Sequence, residues 1–165
     1  MLIYVRNIPP DGLDVDFKMS SSIMTSRMAV HDELKETFRK DVDCHLRLEV
    51  SKKDVYVSGS AETSIHPTCA RCDEPFDQPL FTDLSMTCSP APDSTKAADS
   101  YQESEEGLVF YRNDQLDLSE IVREQVLLSL PMRYLCKEDC LGLCSRCGWN
   151  LNLGDHACAV RVTKH

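Results

Sequence analysis

The residues of this chain best suited to chemistry are its cysteines. There are nine, and five fall within Cys136–Cys158, in the stretch CKEDCLGLCSRCGWNLNLGDHAC. Two pairs have C-x-x-C spacing: Cys69-Ala-Arg-Cys72, flanked by Pro67 and Pro75, and Cys144-Ser-Arg-Cys147, followed by Gly148. A C-x-x-C in a tight turn forms a knuckle. Its two sulfurs can share one metal, and successive backbone N–H groups can point at thiolate. A glycine after the second cysteine suits the left-handed turn beneath that metal. Cys136, Cys140, His156 and Cys158 supply further donors around the second pair.

Three chemistries compete for these residues. Thiol redox work wants a C-x-x-C that opens a helix in a βαβ setting, which lowers the thiolate pKa. Neither pair has that setting: Cys69 follows a strand pattern and precedes a proline-containing turn, and Cys144 lies in a Gly-rich stretch. Disulfides would leave one of nine thiols over and conflict with a reducing compartment. Metal binding accounts for both pairs and for the additional donors. Thiolate-rich four-coordinate sites select zinc first, with iron–sulfur a minor option.

The ligands can be grouped in three ways. A compact site of Cys140, Cys144, Cys147 and Cys158 closes within a short segment and is the expected arrangement, with Cys69 and Cys72 in a second site or facing it. A ribbon-like site would join Cys69, Cys72, Cys144 and Cys147. A two-ion scheme would set Cys69, Cys72, Cys136 and Cys140 around one zinc and Cys144, Cys147, His156 and Cys158 around another. In each grouping the protein supplies every donor, so one or two structural zinc ions are expected and no Lewis-acid chemistry.

The rest of the chain must position these groups. Its 165 residues suffice for one domain plus a small appendage, and 42% apolar content is enough for a core. The opening MLIYVRNIPPDGLD lacks the basic region, long apolar run and small-residue cleavage site of a secretory signal. No run approaches the ~18 apolar residues of a membrane span, so a cytoplasmic protein is expected. The net charge is −9 and unevenly spread: residues 1–124 are acidic, whereas 125–165 carry a net +2. An acidic body approaches phosphate backbones at a repulsive cost and favours basic partners.

Leu2 and Tyr4, then Leu13, Val15 and Phe17, alternate around the turn residues Asn7–Gly12, giving strand, turn, strand. Residues 31–39 read as a short helix after a loop. Alternation resumes at Cys44, Leu46, Leu48 and Val50, turns at Ser51–Asp54, returns from Val55 toward Ile65, and reappears at Leu80, Thr82, Leu84, Met86 and Cys88. This is an antiparallel meander with one buried face, and Cys44 and Cys88 on its apolar phase read as small buried hydrophobes. The acidic, Pro- and Ser-rich residues 89–107 predict a disordered loop. A strand follows at Leu108–Tyr111. Asp117 with Glu120 forms a capping-box pattern before Leu118, Ile121, Val122, Val126 and Leu130 at helical spacing, ended by Pro131. The expected fold is α+β: an antiparallel β-sheet meander, one packed C-terminal helix and a Cys-rich zinc-knuckle module, with residues 1–131 as a β-rich domain and 132–165 as the metal-binding module.

CARC after a strand, an acidic insert, DLSEIVREQVLLSLP and then LCKEDCLGLCSRCGWNLN together resemble the YceD family, the large ribosomal RNA subunit accumulation proteins. The resemblance runs from about residue 43 to the C-terminus. It implies a ribosome-biogenesis role in synthesis, processing or accumulation of the large-subunit (23S) rRNA, without catalytic residues. The implied partners are a large-subunit ribosomal protein or a pre-ribosomal particle, and no membrane or small-molecule substrate.

Direct RNA binding is the alternative, through Arg133, Lys137, Arg146, Arg161 and Lys164, with Tyr134 and Trp149 stacking on bases. The bland reading of Trp149 is a plug beneath the knuckle. An enzyme would need a clustered catalytic set. Glu103, Glu105 and Glu106 fall in the acidic loop, and His31, His45 and His66 are scattered, so no enzyme is expected.

Overall fold

The period-2 stretches form a five-stranded sheet. In the computed structural model the described residues are 1–25, 37–91, 108–154, 156 and 158. The sheet order is β2 (Leu13–Met19), β3 (Val42–Ser51), β4 (Asp54–Ile65), β5 (Gln78–Pro90) and β6 (Leu108–Tyr111). The first three pairings are antiparallel, and the β3–β4 turn closes at Ser51↔Asp54 with Lys52 at φ 59°. Rows of side chains cross the sheet in register, such as Val15–Leu46–Gly59–Leu84 and Cys44–Ala61–Thr82. Apart from Gly59 these inward residues are buried, and their apolar members belong to the main core, as the alternation requires.

Two features depart from the simple meander. Strand β6 pairs with β5 in parallel, Thr87↔Leu108 to Pro90↔Tyr111, so the connection between them is a crossover and not a hairpin. Strand β1 (Leu2–Tyr4) does not pair with β2. It pairs antiparallel with β7 (Gln115–Asp117) in a separate two-stranded sheet. A 3-10 turn at Val5–Asn7 separates β1 from β2 and buries Val5. Ser89 and Pro90, expected in the acidic loop, belong to β5 because β6 gives them partners; residues 92–107 of that loop lie outside the described residues. The helix expected over 31–39 lies outside them up to residue 36. A five-residue helix, α1 (Ser21–Thr25), follows β2 and went unread in the sequence.

Helix α2 (Leu118–Leu128) buries Leu118, Ile121, Val122 and Val126 in the main core. The Asp117 side chain caps it by accepting from the Ser119 N–H. Glu120, expected to complete the capping box, pairs with Arg123 at 3.4 Å. The helix stops at Leu128, with Ser129 Oγ 2.7 Å from Thr82 Oγ1 of β5. Among the described residues no helix is long and apolar enough to cross a membrane.

Gly59 marks the tightest backbone approach in the sheet. Its φ is +147°, and a Cβ there would lie 2.0 Å from the His45 carbonyl oxygen. Gly59→Ala should therefore destabilise the protein by about 3 kcal/mol, from strain and overpacking. Urea unfolding measures it, and a parental midpoint would show that the ladder relaxes around the methyl.

Candidate metal centre

Beyond Ile65↔Gln78 the β4–β5 hairpin narrows into a neck. His66 Nδ1 and Asp77 Oδ1 are 2.7 Å apart across it, Phe76 N–H donates to the Pro67 carbonyl, and Thr68 bridges Pro75. The first knuckle caps this neck. Cys69 N–H donates to Glu74 O (2.9 Å), Asp73 N–H donates to Cys69 O (2.9 Å), and Asp73 takes φ 59°.

The second knuckle repeats the same backbone pattern. Leu143 bridges Asn150, Cys144 N–H donates to Trp149 O (2.7 Å), Gly148 N–H donates to Cys144 O (2.9 Å), and Gly148 has φ 74°. The glycine answers to conformation alone, since a Cβ at Gly148 would meet nothing within 4 Å. Neither knuckle opens a helix, so the setting of a C-x-x-C redox motif is absent from both.

Residues 134–143 wrap around the first knuckle. Ala70 N–H donates to Tyr134 O (2.8 Å), Cys136 N–H donates to Cys69 Sγ (3.4 Å), and Leu143 N–H donates to Arg71 O (3.1 Å). The Arg71 guanidinium donates to the carbonyls of Glu138 and Cys140, both at 3.0 Å. Gly142 permits this approach, because a Cβ there would stand 3.0 Å from Arg71 O and its φ is +76°.

The wrapping gathers eight donors into two groups. Cys69, Cys72, Cys136 and Cys140 form an inner group; Cys144, Cys147, His156 and Cys158 form an outer one, and within each group the ligand atoms lie within 4.8 Å of one another. The four residues of the compact arrangement are thus not all brought together: Cys140 lies with Cys69, whereas Cys144, Cys147 and Cys158 lie with His156. The docking of 134–143 onto Ala70 and Arg71 turns Cys140 toward the first knuckle. Cys69, Cys72 and Cys140 are buried, and with Phe76 and Leu135 they make a small second core.

The spacing of the sulfurs fits one ion per group. Cys69–Cys140, Cys72–Cys136 and Cys144–Cys158 are 3.8, 3.7 and 3.9 Å apart. A tetrahedron with metal–sulfur bonds of about 2.3 Å has edges of about 3.8 Å. A disulfide would need about 2 Å. Among the described residues His156 Nε2 is buried without a hydrogen-bond partner, as an unbound ligand nitrogen would be.

Protonation follows the same geometry. Burial pushes the Cys69 thiol up, but N–H donors from Cys136, Arg71 and Cys72 outweigh it and bring it down to about 6. The N–H groups of Arg146 and Cys147 bring Cys144 down to about 6. Burial also works against Cys140, yet the Asn152 amide and the Gly142 N–H hold it below the ordinary thiol range. Burial and neighbouring thiols push Cys136 up to about 12. Cys158 rises to about 11, chiefly through its hydrogen bond with Cys147. Each group thus holds some thiolate and some protonated thiol, since like charges this close cannot all ionise. A bound dication would neutralise them and release the remaining protons.

Two contributors went unread in the sequence. Arg71 was read only as a spacer in CARC. Asn152 donates to Cys140 Sγ (3.3 Å). Asn150 and Asn152, two apart after a knuckle, are a local Asx pattern that could have flagged a side chain locked in place. Conversely, Tyr134 is partly buried against the main core. Trp149 does not plug the knuckle: it is 45% exposed and stacks on His156 with ring centroids 6.1 Å apart. His45 and His66 each have a carboxylate partner, Asp16 and Asp77. His31, Glu103, Glu105, Glu106, Arg161 and Lys164 lie outside the described residues.

The family described as large ribosomal RNA subunit accumulation protein YceD matches residues 57–164, a stretch that contains both knuckles and all eight candidate ligands. The chain belongs to the YceD family. An uncharacterised protein of Mycobacterium tuberculosis is 33% identical over 110 residues, which is 65% of this chain and 50% of the relative. An uncharacterised protein of Mycobacterium leprae is 28% identical over 111 residues, 67% of this chain and 49% of the relative. The chloroplastic large ribosomal RNA subunit accumulation protein YCED homolog 1 of Arabidopsis thaliana is 26% identical over 123 residues, 61% of this chain and 38% of the relative. The chain spans about half the length, or less, of these relatives. No solved structure matches it. YceD membership supports a ribosome-related role.

Cys44 and Cys88 stand apart from the YceD cysteine groups. Both are buried, and burial pushes their thiols up to about 11 and about 12. Iodoacetamide at pH 8 with a strong chelator should leave both unlabelled in the native protein and label them in denaturant. Mass spectrometry reads the result, and native labelling at either would contradict the core placement.

Proposed function

We propose that this chain is a non-catalytic ribosome-biogenesis factor that promotes synthesis, processing or accumulation of the large-subunit (23S) rRNA in the cytoplasm. It acts by binding a large-subunit ribosomal protein or a pre-ribosomal particle. The observation that carries this reading is the coincidence of the YceD match with two complete four-donor groups. Each group offers four protein ligands and leaves no open position, which suits a structural ion rather than a reacting one. Thiolate and imidazole donors in tetrahedral array favour zinc, so we assign one structural Zn2+ to each group. The ions hold residues 132–158 as a module against the β4–β5 hairpin. The net charge of −9 supports a basic protein partner.

Direct RNA binding through the module is the second reading. It draws support from half-exposed Trp149, and from Arg133 and Arg146, which have no ion-pair partner among the described residues. A thiol redox role is the third, and saturated ligation of every knuckle thiol opposes it.

Affinity purification of the tagged protein from growing cells, with and without nuclease, separates these readings. Ribosomal proteins that survive nuclease support the protein-binding factor. Large-subunit precursor RNA, with proteins lost on nuclease, moves the function to RNA. Loss of both would overturn the ribosomal reading. Metal analysis of the same material should find two zinc ions per chain. Cys72→Ser should lower the inner occupancy and Cys147→Ser the outer.

A further inference from the structure

Asn152 links the inner group to the hairpin that carries the outer one, through Cys140 and Leu141 on one side and Asn150 on the other. It follows the second knuckle, where Asn150 pairs with Leu143 beside Cys144. The Asn150 carboxamide oxygen accepts from Asn152 N–H (3.0 Å) and from Asn152 Nδ2 (2.8 Å), which orients the Asn152 amide. That amide then reaches across to the inner group. Its Nδ2 donates to Cys140 Sγ at 3.3 Å, and its Oδ1 accepts from Leu141 N–H at 3.0 Å. Both halves of one side chain are therefore engaged on the segment that carries Cys140, and the posture of that side chain is set by the hairpin that carries Cys144 and Cys147.

We propose that Asn152 is a positioning residue that couples the two metal sites, so that filling the outer site tightens the inner one. This inference rests on the metal-bound reading given above. An ion on Cys144 and Cys147 fixes the hairpin 143–150, hence Asn150, hence the donor aimed at Cys140. An N–H donor to a ligand sulfur orients that ligand and stabilises its thiolate form, and loss of such a partner typically lowers metal affinity roughly 10–100-fold. Coupling between binding sites is reciprocal, so filling the inner site tightens the outer by the same factor. Leu141 sits at the joint: it follows the inner ligand Cys140 and its N–H is held by Asn152. The arrangement links loading of the two sites, where two unconnected cages would load independently.

The test is a double-mutant cycle on the full chain, with Co2+ as the probe. The thiolate-to-cobalt charge-transfer band reports uptake, and the d–d bands distinguish a four-sulfur site from one that includes histidine. One axis disables the outer site with Cys147→Ser and Cys158→Ser. The other replaces Asn152 with Asp, which keeps its size and its acceptor for Leu141 N–H but removes the donor to Cys140. With Asn152 present, disabling the outer site should weaken Co2+ at the inner site about tenfold. With Asn152→Asp the two backgrounds should differ less than about twofold. Equal losses in both backgrounds would overturn the role of Asn152 while leaving both metal sites in place. A wild-type protein that takes up no Co2+ would overturn the metal reading itself. Should the variants fail to fold, 113Cd-substituted wild-type protein gives the answer by NMR. A scalar correlation between the Asn152 side-chain amide proton and the inner-site cadmium is expected, and its absence would overturn the proposal.

Discussion

Cysteine sulfurs sit 3.7–3.9 Å apart in these groups, a separation at which thiolates repel one another, and the C-terminal third of this chain is organised around holding them there. Among the described residues between α2 and Cys158 the regular structure amounts to one 3-10 turn, Leu151–Leu153. The local core is three cysteines with Phe76 and Leu135 packed on it. A segment this short cannot bury enough apolar surface to offset the entropy of ordering it, and small units of this kind depend on cross-links or metal. An ion in each of the two cysteine groups would supply that constraint. The two differ in reach: the inner one ties Cys72 to Cys136, 64 residues away, and the outer one ties Cys144 to Cys158, 14 residues away. By the chain-entropy argument for a covalent bridge, closing the longer loop through an ion would contribute about 4 kcal/mol and the shorter about 3. Ions in both groups would add stability, and the inner group is the one that spans Cys69 and Cys72 of the β4–β5 hairpin and Cys136 and Cys140.

The division between what was legible and what was not follows the range of the interactions. Strands β3, β4 and β5 were readable because their alternation is local and one buried face fixes their register. Helix α2 was readable from the spacing of Leu118, Ile121, Val122 and Val126. The parallel addition of β6 and the pairing of β1 with β7 were not, since each depends on partners far along the chain and leaves no periodic trace. The cysteines show the same divide. That they gather as metal-type donors was plain from the two C-x-x-C pairs. How they group was not, because spacing alone favours the nearest closure, Cys140 with Cys144. The structure decides otherwise through backbone contacts from Ala70 and Arg71 to Tyr134, Glu138, Cys140 and Leu143, which no residue type announces.

The two knuckles are equivalent in backbone hydrogen bonding yet differ in setting. The first grows out of a long hairpin and is braced by the His66–Asp77 neck. The second has no strand beneath it and is braced by Asn150 and Asn152. The YceD match begins at residue 57, inside β4, and so takes in the first knuckle with its hairpin but not β1, β2 or β3. The matched stretch is the part in which sheet and cysteine module meet. Strands β2 and β3 continue the same sheet beyond β4, β3 pairing with its edge.

The outer group also connects metal chemistry to the surface. His156 contributes a candidate ligand nitrogen and at the same time stacks on Trp149, which is nearly half exposed. An imidazole held by an ion has a fixed plane, and a ring stacked on it inherits that orientation. Trp149 is held from the other side as well, since its carbonyl accepts from Cys144 N–H, the first residue of the same knuckle. The one tryptophan of the chain is thus gripped through both its backbone and its ring by residues of one cage. A surface aromatic held this way loses little conformational freedom on meeting a partner, which is the condition under which an exposed aromatic contributes most to binding. Whatever this face meets, protein or RNA, an ion bound on His156 would set the geometry of the contact.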